Sequence, residues 1–322
     1  MKKNVIRIAA VTATILAATT LTGLSANAAQ PVSTGSTSGV VSAGGSKSDK
    51  NAVVIYLTRH GRTILNQTDT VQGWADSPLL IGTQPVATAP VQKLDEGRPL
   101  ATAVGASLRS KIGTFDVAYS ADGKRHYETA TYILQGGKQS RLTVTQDARL
   151  REVNFGQYEG KENKELWSAA VEYLGYTIDH DAASTAPADA TGQNGGWQTM
   201  QGIAITEHGL YGMMEAIKAV ADAPDLGLPA EDCTEVDTRM TQALTDIAKK
   251  AQRAHDDTVL VVSSGLSISC FAGAPDMRTV DGGIPVLPST GVPNLGVTKV
   301  IYKNGVFTID GAVGTKDYYP QG

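Results

Sequence analysis

The run Ala52-Val53-Val54-Ile55-Tyr56-Leu57-Thr58, which passes directly into Arg59-His60-Gly61-Arg62-Thr63, decides the fold. Residues 52–58 are β-branched and almost wholly apolar, the pattern of a strand covered on both faces, as in a parallel sheet. Phe115–Ser120 (FDVAYS) and Thr258–Ser263 (TVLVVS) are runs of the same kind. Helical patterns separate them, at about Pro99–Ile112, Arg125–Leu134, Asn163–Leu174, His208–Ala221 and Thr234–Ala254. Val297–Tyr302 and Val306–Ile309 flank Lys303-Asn304-Gly305, and Asn-Gly between two β-like runs is a strong hairpin signal. Strands spaced by helices predict an α/β sheet with helices on both faces. From about Tyr176 to Gln201 the chain is polar, rich in Gly and Ala, and without a period, which predicts a lid, a binding loop or a disordered insert.

The chain has 322 residues, long enough for one large domain or two small ones, and its formal charge of −4 lacks the basic excess of a nucleic-acid binder. The 34 Gly and 13 Pro show no G-X-Y period, which excludes collagen. The 5 His are scattered without ligand spacing, so neither a metal nor another cofactor is expected. Lys2, Lys3 and Arg7, the apolar run from Ile8 to about Leu24, and the small-x-small triplet Ala26-Asn27-Ala28 predict a secretory signal peptide over residues 1–28. Residues 29–50, mostly Ser, Gly, Thr and Val, predict a flexible linker, leaving 51–322 as the folded domain. The mature chain is thus expected outside the cell with no membrane span. Leu287-Pro288-Ser289-Thr290-Gly291 matches a pentapeptide used for covalent cell-wall anchoring. That signal also needs a hydrophobic segment and a basic tail, whereas here polar, strand-like sequence follows, so a Pro/Gly loop and a released or noncovalently held protein are expected. In an oxidising compartment Cys233 and Cys270 are candidates to pair, and equally candidates for two separate buried thiols. The sequence leaves the oligomeric state open.

The chemistry starts where the first strand ends, the edge at which open α/β sheets bind ligands. Arg59 is a planar, permanently charged donor suited to phosphate. His60 is a candidate nucleophile if its other ring nitrogen is held by a hydrogen bond. One Arg and one His are by themselves weak evidence, and a satisfied structural pair is their usual explanation. The wider pattern is more specific. Arg59-His60-Gly61-x-Thr63-x-x-Asn66, followed by Gln72-Gly73-Trp74-x-Asp76-Ser77-Pro78-Leu79, resembles the histidine phosphatase superfamily, whose founding members are the phosphoglycerate mutases. Ser120 through Arg125 to Thr129-Ala130 resembles the second-arginine segment, with one extra residue between Ser120 and Arg125. Leu150-x-Glu152-x-x-Phe155-Gly156-x-Tyr158-Glu159-Gly160 resembles the acid segment, and Ala230-Glu231 to Arg239 the late helix.

The resemblance implies a three-layer α/β/α sandwich with a mostly parallel central sheet and an inserted lid at about 160–226. It implies that His60 attacks phosphorus and carries a phosphohistidine, that Arg59 and Arg125 clamp the nonbridging oxygens, and that Glu152 protonates the leaving oxygen and then activates water. Asn66, Gln72 and Gly73 would line the substrate side. The partner implied is a small phosphorylated substrate, and the activity is phosphomonoester hydrolysis, with mutase-type transfer as an alternative. Two arginines supply the charge neutralisation that phosphoryl transfer needs. This chain departs from the family at Ser263-Ser264-Gly265, where members usually carry Ser-His-Gly. Ser264, beside Gly265 in the phosphate-binding turn, is a neutral and shorter donor than the usual histidine. Three outcomes stay open: weakened catalysis, compensation by another group (Arg62, His126, His180 or His208), or a degenerate protein that binds phosphate or a partner without turnover.

Overall fold

The computed structural model describes residues 51–82 and 97–320. The predicted signal peptide (1–28) and linker (29–50) lie outside the described residues, as does most of the long segment between Leu80 and Gly97. The strands are β1 (Val53–Arg59), β2 (Val117–Ser120), β3 (Val144–Gln146), β4 (Thr258–Ser263), β5 (Arg278–Thr279), β6 (Val297–Lys303) and β7 (Val306–Ile309). They form one sheet in the order β3-β2-β4-β1-β6-β7-β5. β1, β4, β2 and β3 are parallel neighbours, while β6 pairs antiparallel with both β1 and β7. β6 is therefore the strand that runs against the others. The helices are α1 (Ile64–Gln67), α2 (Arg98–Ile112), α3 (Lys124–Gly136), α4 (Asn163–Tyr173), α5 (Trp197–Ala221), α6 (Cys233–Ala254) and α7 (Gly265–Ala272).

The period-2 geometry of the strands makes the three layers. Ile55 and Leu57 of β1, with Val259 and Val261 of β4, join a core shared with Leu166 of α4, Met213 of α5, Val236 of α6 and Phe271 of α7. The alternate residues Tyr56, Leu260 and Val262 join the opposite core, with Val104 and Leu108 of α2 and Ile133 of α3. Both faces of the central strands are thus buried, which is why their sequences read as continuous apolar runs.

Departures from the predicted elements have local causes. The helix expected to start at His208 begins at Trp197 and bends at Gly209 (φ 69°, ψ 175°), a conformation that glycine alone adopts cheaply. Its first half is rich in Gly and Thr and carries little helical signal, but Trp197, Met200 and Ala204 anchor it in the core. α7 is apolar almost all round because it is buried, so it shows no amphipathic stripe. β3 and β5, at 3 and 2 residues, are too short to reveal a period. Leu287–Gly291 is a loop, with the Gly291 N–H donating to the Pro288 carbonyl, and β6 and β7 follow it. Among the described residues no helix is long and apolar enough to cross a membrane.

Cys233, the first residue of α6, is disulfide-bonded to Cys270 of α7 across a separation of 37 residues. Closing a loop of that length restricts the unfolded chain by about 3–4 kcal/mol. Replacing both cysteines by Ala is therefore expected to lower the unfolding free energy by about that amount, read from denaturant midpoints under non-reducing conditions. An unchanged midpoint would remove the disulfide from the account of what holds α7 in place.

Candidate active site

β1 and β4 end side by side, with Arg59 in register with Ser263. Beyond the last pair, the His60 N–H donates to the Ser263 carbonyl at 3.0 Å. On the other side, the Arg59 N–H donates to Gly296 (3.1 Å), the Leu295 N–H donates to the Arg59 carbonyl (3.1 Å), and Asn294 Nδ2 donates to the His60 carbonyl (3.0 Å). The Gly61 N–H donates to Thr129 Oγ1 at 2.9 Å, tying the turn to α3. Both reactive residues are thus held from several sides by regular structure, the arrangement a precise site requires.

The His60 ring is buried, with Nδ1 at 2.8 Å from the Gly61 carbonyl oxygen. A carbonyl only accepts, so Nδ1 carries the proton and Nε2 is left with its lone pair. Burial holds the imidazole well below its ordinary pKa of 6.5, and the charges of Arg125 and Arg59 push it further down. His60 is therefore neutral, with a nucleophilic Nε2, at neutral and mildly acidic pH.

Arg59 packs over Gly265 and donates from Nη1 to the Val292 carbonyl at 2.6 Å. Glu152 is 7% exposed. Its carboxylate accepts the N–H groups of Ser267 (2.8 Å), Val153 (3.0 Å) and Leu266 (3.1 Å), so it lies against the first turn of α7. A cavity of about 180 Å³ brings together Arg59, His60, Asn66, Gln72, Glu152 and Gly265. Asn66 belongs to the α1 capping box with Thr63, and Thr63 Oγ1 donates to Gln72 Oε1 at 2.6 Å, so these two cavity residues are braced by one threonine.

Three predicted site residues are not among those lining that cavity. Gly73 does not line it. A Cβ at Gly73 would fall 2.1 Å from the Val153 carbonyl, its N–H donates to Glu159 at 3.1 Å, and its carbonyl accepts from Arg125 Nη2 at 2.7 Å. Arg125 is 1% exposed, and its Nη1 also donates to the Ala75 carbonyl (2.9 Å) and to Asp76 (2.9 Å). Its guanidinium faces a smaller neighbouring cavity with Gly73, Trp74, His126 and Arg151, and its charge still acts on His60. Ser264 is fully buried, with Oγ 2.6 Å from His126 Nε2.

Other residues that shape the site carried no assigned role in the sequence. The Glu159 carboxylate accepts the N–H groups of Gly73, Trp74, Ala75 and Phe155 and so fixes the 73–75 turn. Arg239 of α6 pairs with Glu231 and donates to the carbonyls of Arg149, Arg151 and Glu152, which sets the backbone of the acid segment. Trp167 of α4 also lines the cavity.

The two buried imidazoles give the fold a pH dependence. His60 and His126 are both held well below 6.5 by burial first. The unfolded chain therefore binds up to two more protons below about pH 6.5, and stability falls as pH falls through that value, by up to about 1.4 kcal/mol per pH unit for each histidine. Asp237, raised by burial to about 6, works in the opposite direction from near that pH downward. Denaturant unfolding from pH 7.5 to 5 in an Asp237→Asn background is expected to show the loss, and His126→Gln is expected to remove about half of it. A flat profile would contradict the neutral, buried state of these rings.

Comparison with known proteins agrees with this geometry. Residues 55–194 match the model of the histidine phosphatase superfamily (branch 1). A 2,3-bisphosphoglycerate-dependent phosphoglycerate mutase of Bartonella tribocorum is 30% identical over 112 residues, 35% of this chain and 48% of that protein. A broad-specificity phosphatase of Saccharomyces cerevisiae is 30% identical over 114 residues, 35% of this chain and 44% of that protein. The matched segment thus spans less than half the length of each relative. The crystal structure of a phosphoglycerate mutase from Bacillus anthracis superposes with a TM-score of 0.62 at 29% identity, covering 83% of this chain and 95% of that one. With the three-layer fold and an Arg-His pair at the end of β1, these matches show the histidine phosphatase superfamily pattern over residues 55–194 of the chain.

Proposed function

We propose that this protein is an exported phosphatase that hydrolyses small phosphomonoesters through a phosphohistidine at His60. His60 Nε2 attacks phosphorus, a P–N bond forms and the ester P–O bond breaks, and Glu152 delivers a proton to the leaving oxygen. Water then attacks the phosphohistidine, its proton passes to Glu152, and the P–N bond breaks with its electron pair returning to Nε2. Arg59 in the cavity and Arg125 beside it offset the phosphoryl charge. The observation that carries the reading is the Nδ1–Gly61 hydrogen bond, which frees the Nε2 lone pair in a cavity shared with Arg59 and Glu152.

The cavity wall favours hydrolysis over a phosphoglycerate mutase reaction. Among the described lining residues Arg59 is the cation and Glu152 the anion; the rest are neutral, including Asn66, Gln72, Asn163, Leu166 and Trp167. A phosphorylated carboxylic acid brings a further negative charge that this wall does not neutralise. Export is supported by the pattern of residues 1–28 and by the Cys233–Cys270 disulfide, a bond that persists in oxidising compartments.

The test is release of inorganic phosphate by the mature chain, from about pH 4 to 8, on an aryl phosphate, a neutral alkyl phosphate and a phosphoglycerate. Hydrolysis of the first two, faster than any reaction of the third, is expected. No hydrolysis, together with tight phosphate binding, would replace the reading with the degenerate binding protein that Ser264 suggests. Peptide mapping of protein from the culture medium is expected to find an N-terminus after Ala28; an intact Met1 there would contradict export by this route.

A further inference from the structure

A second imidazole stands beside His60 and has no part in the mechanism above. His126 follows Arg125 on α3 and is buried. Its ring is edge-on to that of His60, with centroids 5.2 Å apart and planes at 87°. Its Nε2 lies 2.6 Å from Ser264 Oγ, the position where the family usually carries an imidazole of its own. Ser264 sits between Ser263, whose carbonyl receives the His60 N–H, and Gly265, on which Arg59 packs. It is the N-cap residue of α7, yet its hydroxyl makes no capping hydrogen bond. A serine that gives up this common role and meets a buried imidazole instead has its hydroxyl fixed by that ring.

We propose that His126 and Ser264 together replace the missing histidine: His126 positions and polarises the Ser264 hydroxyl, which donates to a phosphoryl oxygen as phosphate is transferred. The proposal rests on His60 as the phosphorylated residue. Its chemistry is a relay of two hydrogen bonds. With its proton on Nε2, a neutral His126 donates to Ser264 Oγ and leaves Nδ1 without a hydrogen bond, and a hydroxyl that accepts this bond becomes a stronger donor through its own O–H. The imbalance noted in the sequence, a neutral serine where a larger donor usually stands, is then offset by an imidazole from the neighbouring wall. His126 is a positioning residue, since it acts through Ser264. The exchange also explains why a ring as polar as His126 is fully buried against His60 with no carboxylate partner among its hydrogen bonds.

The test compares the mature parent chain with Ser264→Ala, His126→Ala, His126→Gln and the Ser264→Ala/His126→Ala double variant. Binding of orthovanadate, which takes up the five-coordinate geometry of transfer, and of inorganic phosphate is measured by calorimetry, with melting curves as a check on folding. Ser264→Ala is expected to weaken vanadate by about 10- to 100-fold, the range for a hydrogen bond to a charged group, and to weaken phosphate less. His126→Ala is expected to lose a similar factor, and the double variant no more than either single one, because the two groups act as one. His126→Gln, whose amide N–H reaches about as far as Nε2, is expected to retain most of the parent's vanadate affinity and guards against a folding defect in His126→Ala. Vanadate bound equally well by the parent and Ser264→Ala, or losses that multiply in the double variant, would overturn the relay. Failure of the His60 reading is recognised separately, by turnover that survives His60→Ala.

Discussion

His60→Ala is expected to lower kcat on an aryl phosphate by at least about 10⁴-fold and to leave no phosphorylated enzyme, since removing a covalent nucleophile removes both chemical steps at once. The backbone at position 60 is held by the Ser263 carbonyl, by Leu295 and by Asn294, none of which depends on the imidazole. Arg59 keeps its contacts with Val292 and Gly265. The variant therefore retains a charged phosphate pocket without a nucleophile, and its phosphate affinity is expected to survive while turnover does not. The measurement is steady-state kinetics alongside phosphate binding on the same preparation. Turnover within tenfold of the parent would reject His60 as the attacking group. Loss of binding together with turnover would instead show that the substitution had disturbed the end of β1.

Glu152→Gln is expected to lose about 10²- to 10⁴-fold in kcat on alkyl phosphates, the usual contribution of a positioned proton donor. The loss on aryl phosphates is expected to be smaller, because a phenolate leaves with little help. Gln keeps the size of the side chain and an oxygen that still accepts from the first turn of α7, where the carboxylate now meets the Ser267 and Leu266 N–H groups. Its amide NH₂ replaces one accepting oxygen, so a modest fall in stability accompanies the change. The dependence on leaving group distinguishes chemistry from damage: a misfolded site loses activity on both substrates alike. Equal losses on the two classes would assign Glu152 to holding α7 in place instead of to proton transfer.

The parts of the fold legible in the sequence were those that local pattern determines. β1, β2 and β4 are buried on both faces and read as apolar runs, and the hairpin between β6 and β7 is marked by Asn304-Gly305. α7 and the first half of α5 were not legible, because tertiary burial stabilises them instead of amphipathic period or propensity. The same division runs through the site. Arg59, His60 and Glu152 carry chemistry in their side chains and sit in recognisable motifs. The order of layers around them comes from contacts between distant segments. Glu159 gathers N–H groups from residues 73–75, more than eighty positions away in the chain, and Arg239 holds carbonyls nearly ninety positions away. A carboxylate or guanidinium does not announce in sequence which backbone it will serve. For that reason the sequence did not show that Gly73 and Arg125 line a smaller cavity beside the one that holds His60. The Cys233–Cys270 disulfide is similar: an oxidising compartment would make it chemically allowed, and only the packing of α6 against α7 brings the two sulfurs together.

The central claim is that one neutral imidazole, freed at Nε2 by the Gly61 carbonyl, accepts the phosphoryl group. The most direct measurement is ³¹P NMR and peptide mass mapping of the mature chain quenched in base during turnover of an aryl phosphate. An acid-labile, base-stable phosphate on Nε2 of His60, absent from His60→Ala, is the expected result. Steady turnover with phosphate on another residue, or with no phosphorylated enzyme under conditions that preserve phosphohistidine, would contradict it.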